Sequence, residues 1–167
     1  TLEDLNIDKL HKVVMYACEG ISGVSASEVE INSKIQFFDK IVTEDIQETL
    51  IKSAADLITE ETPNYQYVAG RLINYHLRKM VYNTFEPPCL CDIVQDNIDK
   101  GFYDPEFVEL YTKDEINELQ GFIDHSRDEY LTYAAMEQFR GKYLVQNRAT
   151  GEIFETPQVA YMMIAAT

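Results

Sequence analysis

The 167-residue chain holds 29 acidic and 14 basic residues, a formal charge of −15, with 46% apolar and 11% aromatic content. Such a balance opposes general nucleic-acid binding, which depends on neutralising phosphates, and no segment approaches the roughly 20 apolar residues of a membrane span. A chain of this length can bury roughly 70% of its unfolded surface, enough for one ordinary core or two small ones.

The first 85 residues read as four helices. The first starts near Asp8, places Leu10, Val13, Val14 and Ala17 on one face, and stops at Gly20. Ser25-Ala-Ser-Glu28 is a capping box for the second, whose apolar content is Val29, Ile31, Phe37 and Phe38. Thr43 caps the third, with Glu44 and Asp45 in its first turn, where the helix dipole favours negative charge. Its apolar residues Ile46, Leu50, Ile51, Ala54, Ala55 and Ile58 keep helical spacing. Thr62-Pro63 opens a long fourth helix through Tyr67, Leu72, Leu77, Met80 and Val81. Phe85-Glu-Pro-Pro88 ends it, because the residue before a proline is pushed out of the α region. A domain boundary is placed there, giving units 1–85 and 86–167.

Beyond the boundary, short helices are expected near Leu90–Lys100 and Pro105–Tyr111, and one follows a second capping box, Thr112-Lys-Asp-Glu115. The stretch Phe122–Asp128 and a helix near Leu131–Gln138 come next. Residues 142–158 read as a β-hairpin running into a helix. Tyr143, Val145 and Ile153 alternate with polar neighbours, Gly151 supplies the turn, and Thr156 caps a helix that Pro157 opens. The absence of an initiator methionine at Thr1, and the apolar run at residues 165–167, read as the ends of a piece of a longer polypeptide or of a chain needing a partner.

Chemistry-bearing motifs are few. Cys18, Cys89 and Cys91 point to a reducing compartment, and Cys89-x-Cys91 lacks a second ligand pair at zinc spacing. His11, His76 and His125 sit in no nucleophile or metal motif. Asp124-His125 with Asp128 reads either as part of an acid–base site or as a polar network fixing a loop. No glycine-rich phosphate loop is present.

A nucleotide pocket among the first four helices has more support. Asn6, Lys9 and Leu10 lie at the start of helix one, Thr43, Ile46 and Gln47 share a face of helix three, and Tyr75 and Lys79 are one turn apart on helix four. These supply a helix amino terminus, two ammonium groups, two amides and apolar surface for a base. Each cluster also reads as an ordinary helix face, and Thr43 is accounted for as a cap.

The strings Asn6-Ile-Asp-Lys-Leu-His11, Thr43-Glu-Asp-Ile-Gln-Glu-Thr-Leu-Ile-Lys-Ser-Ala-Ala-Asp-Leu-Ile58 and Pro63-Asn-Tyr-Gln-Tyr-Val-Ala-Gly-Arg-Leu72 resemble the ATP-cone of ribonucleotide reductases. Residues 86–167, above all Lys142–Gln158, resemble the stretch that follows it in the class I large subunit, where a ten-stranded α/β catalytic barrel begins. The resemblance therefore implies a mainly α fold: a four-helix regulatory cone, then helices and a β-hairpin opening that barrel. It implies that Asn6, Lys9 and Leu10 lie near ribose and base. Thr43, Ile46 and Gln47 would meet the nucleotide from helix three, Tyr75 would line the wall, and Lys79 would meet phosphate. Asp45 and His76 fall where the family places a supporting shell. Gln47 stands where bacterial relatives commonly have histidine, and the family's basic pair on a leading strand has no counterpart in these residues. No catalytic cysteine is expected among residues 1–167.

The implied activity is that of ribonucleoside-diphosphate reductase, with ATP or dATP as allosteric effector, magnesium accompanying the nucleotide, and no metal held by the segment itself. Implied partners are the remainder of the large subunit, a small radical-generating subunit and further large subunits, with no nucleic acid and no membrane, in the cytoplasm. The alternatives are a stand-alone cone acting as nucleotide sensor or transcriptional regulator, and a helical interaction module without ligand.

Overall fold

A computed structural model describes residues 7–34 and 43–167. Within them the chain forms two compact units, one made of residues up to His76 with 129–137, the other of 77–128 with 138–167. The architecture is mainly helical, and no β-strand is present among the described residues.

The first unit holds α1 (Ile7–Cys18), α2 (Ala26–Lys34), α3 (Thr43–Ala55) and the first three turns of α4 (Tyr65–Tyr82). Its core is the apolar stripe of each helix: Val13, Val14 and Ala17 from α1, Val29 from α2, Leu50, Ile51 and Ala54 from α3, and Val68, Ala69, Leu72 and Ile73 from α4. Each fully buried aliphatic side chain contributes about 1.5–3 kcal/mol. The expected order of four helices holds. Asn6, Phe37 and Phe38 lie outside the described residues, as do the side chains of Thr43 and Glu44.

Two local expectations change. At the start of α2, Glu28 does not close the capping box on the Ser25 N–H. That N–H donates to the Tyr65 hydroxyl at 2.9 Å, and the same hydroxyl donates to the Glu28 carboxylate. A buried phenol from α4 thus relays the box. At the far end, α4 stops before the proline pair, because Asn83 turns left-handed (φ 57°) and its N–H bonds to the Lys79 carbonyl. Helix four also begins at Tyr65, two residues later than expected, after a turn held by Thr62 Oγ1 donating to the Leu57 carbonyl at 2.7 Å.

In the second unit, α5 (Leu90–Asp99) and α7 (Lys113–Gln120) pack together, with α6 (Glu106–Leu110) between them in sequence. Leu90, Ile93, Val94, Tyr103, Phe107, Ile116 and Val159 form the core. The capping box Thr112–Glu115 forms as expected, Thr112 Oγ1 accepting the Glu115 N–H at 3.3 Å and Glu115 accepting the Thr112 N–H at 2.8 Å. At α5 the cap comes from a distance, since the Leu90 N–H donates to Gln120 Oε1 at 2.6 Å. A 3-10 turn spans His125–Tyr130, followed by α8 (Tyr133–Gln138), a π turn (Phe139–Tyr143) and α9 (Pro157–Ala166).

The expected β-hairpin is reduced to one antiparallel bridge, Gln146 with Ile153. Around the tip, the Asn147 N–H bonds to Glu152 O at 2.8 Å and the Gly151 N–H to Asn147 O at 2.7 Å, with Gly151 at φ 77°. On the leading side the π turn takes up Tyr143, which is exposed. On the trailing side the Glu155 carboxylate, not a strand carbonyl, accepts the Val145 N–H at 2.8 Å. Leu144 and Phe154 are buried, Val145 is half-buried against the core of the unit, and of the expected strand residues Tyr143 turns outward. Thr156 occupies the N-cap position of α9 and Pro157 its first turn, but the threonine side chain makes no cap bond and pairs with the Tyr82 hydroxyl at 3.2 Å.

Candidate nucleotide site

The nominated residues belong to α1, α3 and α4, and two contacts fix how α1 and α4 run. Tyr16 of α1 packs against Tyr75 of α4, ring centroids 6.3 Å apart and tilted by 47°. Three residues on, just past the end of α1, and four earlier in α4, Arg71 Nη1 donates to the Glu19 carbonyl at 2.6 Å. The two helices are therefore antiparallel. Lys9 lies two turns before Tyr16 on the same α1 face, so it is displaced from the Tyr16–Tyr75 contact in the same direction as His76. His76 is buried, with Nε2 3.9 Å from Glu48 Oε1. Glu48 stands little more than a turn after the start of α3. Tyr75 and His76 of α4 thus face α1 and the opening turns of α3 respectively.

Among the nominated residues Lys9 and Asp45 are exposed, Leu10, Gln47 and Tyr75 half-buried, and Ile46 buried. The Asp45 carbonyl accepts Thr49 Oγ1 at 2.6 Å. Gln47 carries the notable electrostatic feature: its Oε1 is buried and has no hydrogen-bond partner. An unmade bond to a buried acceptor costs about 1–3 kcal/mol, so this oxygen retains an unused capacity to accept a hydrogen bond. Thr43 is the first residue of α3 and Asn6 lies outside the described residues, so neither side chain enters the geometry. Lys79 is exposed on α4, one turn beyond Tyr75 and just past the limit of the first unit.

A separate groove of about 570 Å³ opens along α1 and the start of α2, lined by His11, Lys12, Met15, Tyr16, Cys18, Glu19, Val24 and Ala26. None of the nominated residues is among these. Burial pushes the Cys18 thiol up to about 11, with Arg71 opposing, which keeps it a thiol at neutral pH. Cys89 is raised as well, first by its hydrogen bond with Asp92. Among the described residues no group of three or more His, Cys, Asp or Glu side chains is placed to hold a metal.

Residues 1–80 match the ATP cone domain family. Over 164 residues, 98% of the chain, the sequence is 52% identical to ribonucleoside-diphosphate reductase 1 subunit alpha of Escherichia coli (strain K12), covering 22% of that protein. Along nearly its whole length the chain is similar to the amino-terminal 22% of ribonucleoside-diphosphate reductase alpha subunits. The Haemophilus influenzae alpha subunit (strain Rd) is 49% identical over 167 residues, all of this chain and 22% of the relative. That of Enterobacteria phage T4 is 43% identical over 156 residues, 93% of this chain and 21% of the relative. The chain thus spans about a fifth of the length of the reductase subunits it matches.

Periodicity did not single out Tyr16 and Arg71, whose partners lie on another helix and in residues 129–137. Tyr16 Oη donates to Glu129 Oε1 at 2.9 Å, and Arg71 Nε donates to the Glu129 carbonyl at 3.3 Å. Both sit on helices rich in other polar and aromatic side chains, so no local pattern marked them.

Proposed function

We propose that residues 1–85 form a regulatory cone that binds ATP or dATP, and that residues 86–167 are the amino-terminal part of a reductase catalytic domain leading into its α/β barrel. The observation that carries this reading is the match along nearly the whole chain to reductase alpha subunits, at 52% identity. It favours the reductase over a stand-alone cone in a transcriptional regulator, since the similarity continues well past residue 80, where the cone match ends.

In the proposed site, Lys9 and Leu10 meet ribose and base with Asn6, while Ile46 and Gln47 approach from α3 beside Thr43. Tyr75 forms the wall, Lys79 holds phosphate, and Asp45 and His76 support the contacts. The donor set fits a nucleoside triphosphate: ammonium groups for the phosphates, a helix amino terminus at α3, apolar and aromatic surface for the base, and the unpartnered Gln47 Oε1 for a hydroxyl or amino donor. Magnesium would arrive with the triphosphate. The complete protein would reduce ribonucleoside diphosphates using a radical from a smaller metal-containing subunit, and ATP or dATP in the cone would shift its large subunits between active and inhibited assemblies. The two effectors differ by one hydroxyl, so the switch needs differential contacts, typically about 1–3 kcal/mol of coupling.

Calorimetric titration tests the assignment. Lys79→Ala should weaken ATP and dATP binding together, because the phosphates are common to both. Unchanged affinity for both nucleotides would refute it.

A further inference from the structure

The second unit contains a buried polar cluster that nucleotide sensing does not use. Arg78, on the last turns of α4, is buried and donates from Nη2 to the His125 carbonyl at 2.6 Å. The same nitrogen stands 3.7 Å from Asp128 Oδ2, and the guanidinium lies over the Phe85 ring at 5.0 Å. Asp128 is fully buried, and its Oδ1 accepts Gln158 Nε2 from α9 at 3.0 Å. Three buried polar atoms of this cluster have no hydrogen-bond partner: Arg78 Nε, His125 Nδ1 and Asp128 Oδ2. A satisfied structural network would leave none. A carboxylate in this position is held between burial, which opposes its charge, and a guanidinium too far for a direct bond.

We propose that Arg78, His125, Asp128 and Gln158 form a proton-sensitive clasp that fastens the 125–130 turn and the first turn of α9 to the end of α4. The clasp stands apart from the proposed effector site and does not depend on it. Its two titrating members act in opposite senses. Burial pushes the Asp128 carboxyl up to about 6, against the pull of Gln158 and Arg78. The closed clasp therefore prefers protonated Asp128, and this contribution, full in acid, is lost as pH rises through about 4 to 6. Burial and Arg78 lower His125, so the closed clasp prefers neutral imidazole, a contribution full above about 6.5 and lost as pH falls. The other charged or titratable groups around the pair are Tyr82 of α4, itself raised to about 12 mainly by burial, Glu86 and Asp124 near His125, and Glu155 ahead of α9. Asp124 is lowered, first by its hydrogen bonds with Ser126, whereas burial raises Glu155 in the same sense as Asp128.

Hydrogen–deuterium exchange of the intact protein, read peptide by peptide and corrected for intrinsic rates, tests the clasp. With the histidine contribution removed in His125→Gln, protection across residues 125–130 and 157–162 should fall about tenfold from about pH 5 to about pH 7.5. In Asp128→Asn the fall with rising pH should be clearly smaller than in the wild type, the contributions of His125 and Glu155 remaining. A flat profile in His125→Gln, or a wild-type gradient retained in Asp128→Asn, overturns the proposal. His125 is half-buried, so its variant keeps the test available if Asp128→Asn does not fold.

Discussion

Replacing Gly70 by alanine sets two effects of known sign against each other. Gly70 is buried inside α4, where alanine ordinarily gains about 0.5–1 kcal/mol by restricting the unfolded chain and favouring helix. Here a Cβ would lie 2.2 Å from the Leu131 carbonyl oxygen, 3.1 Å from the Thr132 carbonyl carbon and 3.2 Å from the Leu131 carbonyl carbon. The first contact is more than 1 Å inside a favourable non-bonded separation of roughly 3.5 Å. The obstacle is backbone and cannot rotate aside. Its segment is anchored on both sides, by Tyr16 and Arg71 at Glu129 and by Met136, which is fully buried. Overpacking against a fixed backbone costs about 1–3 kcal/mol, and at this overlap the upper end applies. The net is a loss of about 2 kcal/mol, or a fall in Tm of about 4–8 °C for a chain of this size. Thermal and urea unfolding measure it, with Gly141→Ala as control because a Cβ there meets nothing within 4 Å. A Tm that rises in Gly70→Ala would refute the reasoning, since it would mean that residues 131–132 do not pack against α4.

Asn74 is fully buried, and neither its amide nitrogen nor its amide oxygen has a partner, so Asn74→Leu should stabilise by about 1 kcal/mol and raise Tm by about 2–4 °C in calorimetry. Tyr65→Phe removes the hydroxyl that joins the Ser25 N–H to Glu28 at the start of α2, and should cost about 1–2 kcal/mol in urea unfolding with faster amide exchange confined to residues 25–29.

Helices with a single apolar stripe were legible in the sequence. The spacing of Val13, Val14 and Ala17, and of Leu50, Ile51 and Ala54, marks one face each, and those residues are the core. The box at Thr112–Glu115 was equally plain, because both partners sit within one turn. What failed involved partners far along the chain. The Ser25–Glu28 box reads like the other, yet a phenol 40 residues away intercepts it. Residues 142–158 alternate like strands, but Glu155 draws off the Val145 N–H and a π turn consumes Tyr143, two events that no local pattern announces. The candidate nucleotide residues came from family strings rather than from any local pattern.

The fourth helix shows why periodicity stops short of tertiary structure. Its apolar residues Val68, Leu72 and Ile73 define one buried face, which leaves Gly70, Asn74 and Arg78, spaced i, i+4, i+8, as the stripe that reads as solvent-facing. All three are buried. Two of them are covered by the segment between α7 and α8: in the first unit Leu131 and Thr132 lie against Gly70, and in the second the His125 carbonyl and Asp128 meet Arg78. A stripe of glycine, amide and guanidinium is what a helix needs when its second face must receive backbone, because glycine admits a carbonyl at close range and arginine donates to one. Sequence reasoning weighs such residues as polar and assigns them to water. The better rule for a long helix is to ask whether its polar stripe could receive a passing chain, and here Gly70 does so by making room for a carbonyl and Arg78 by donating to one, through contacts that the apolar pattern alone could not have located.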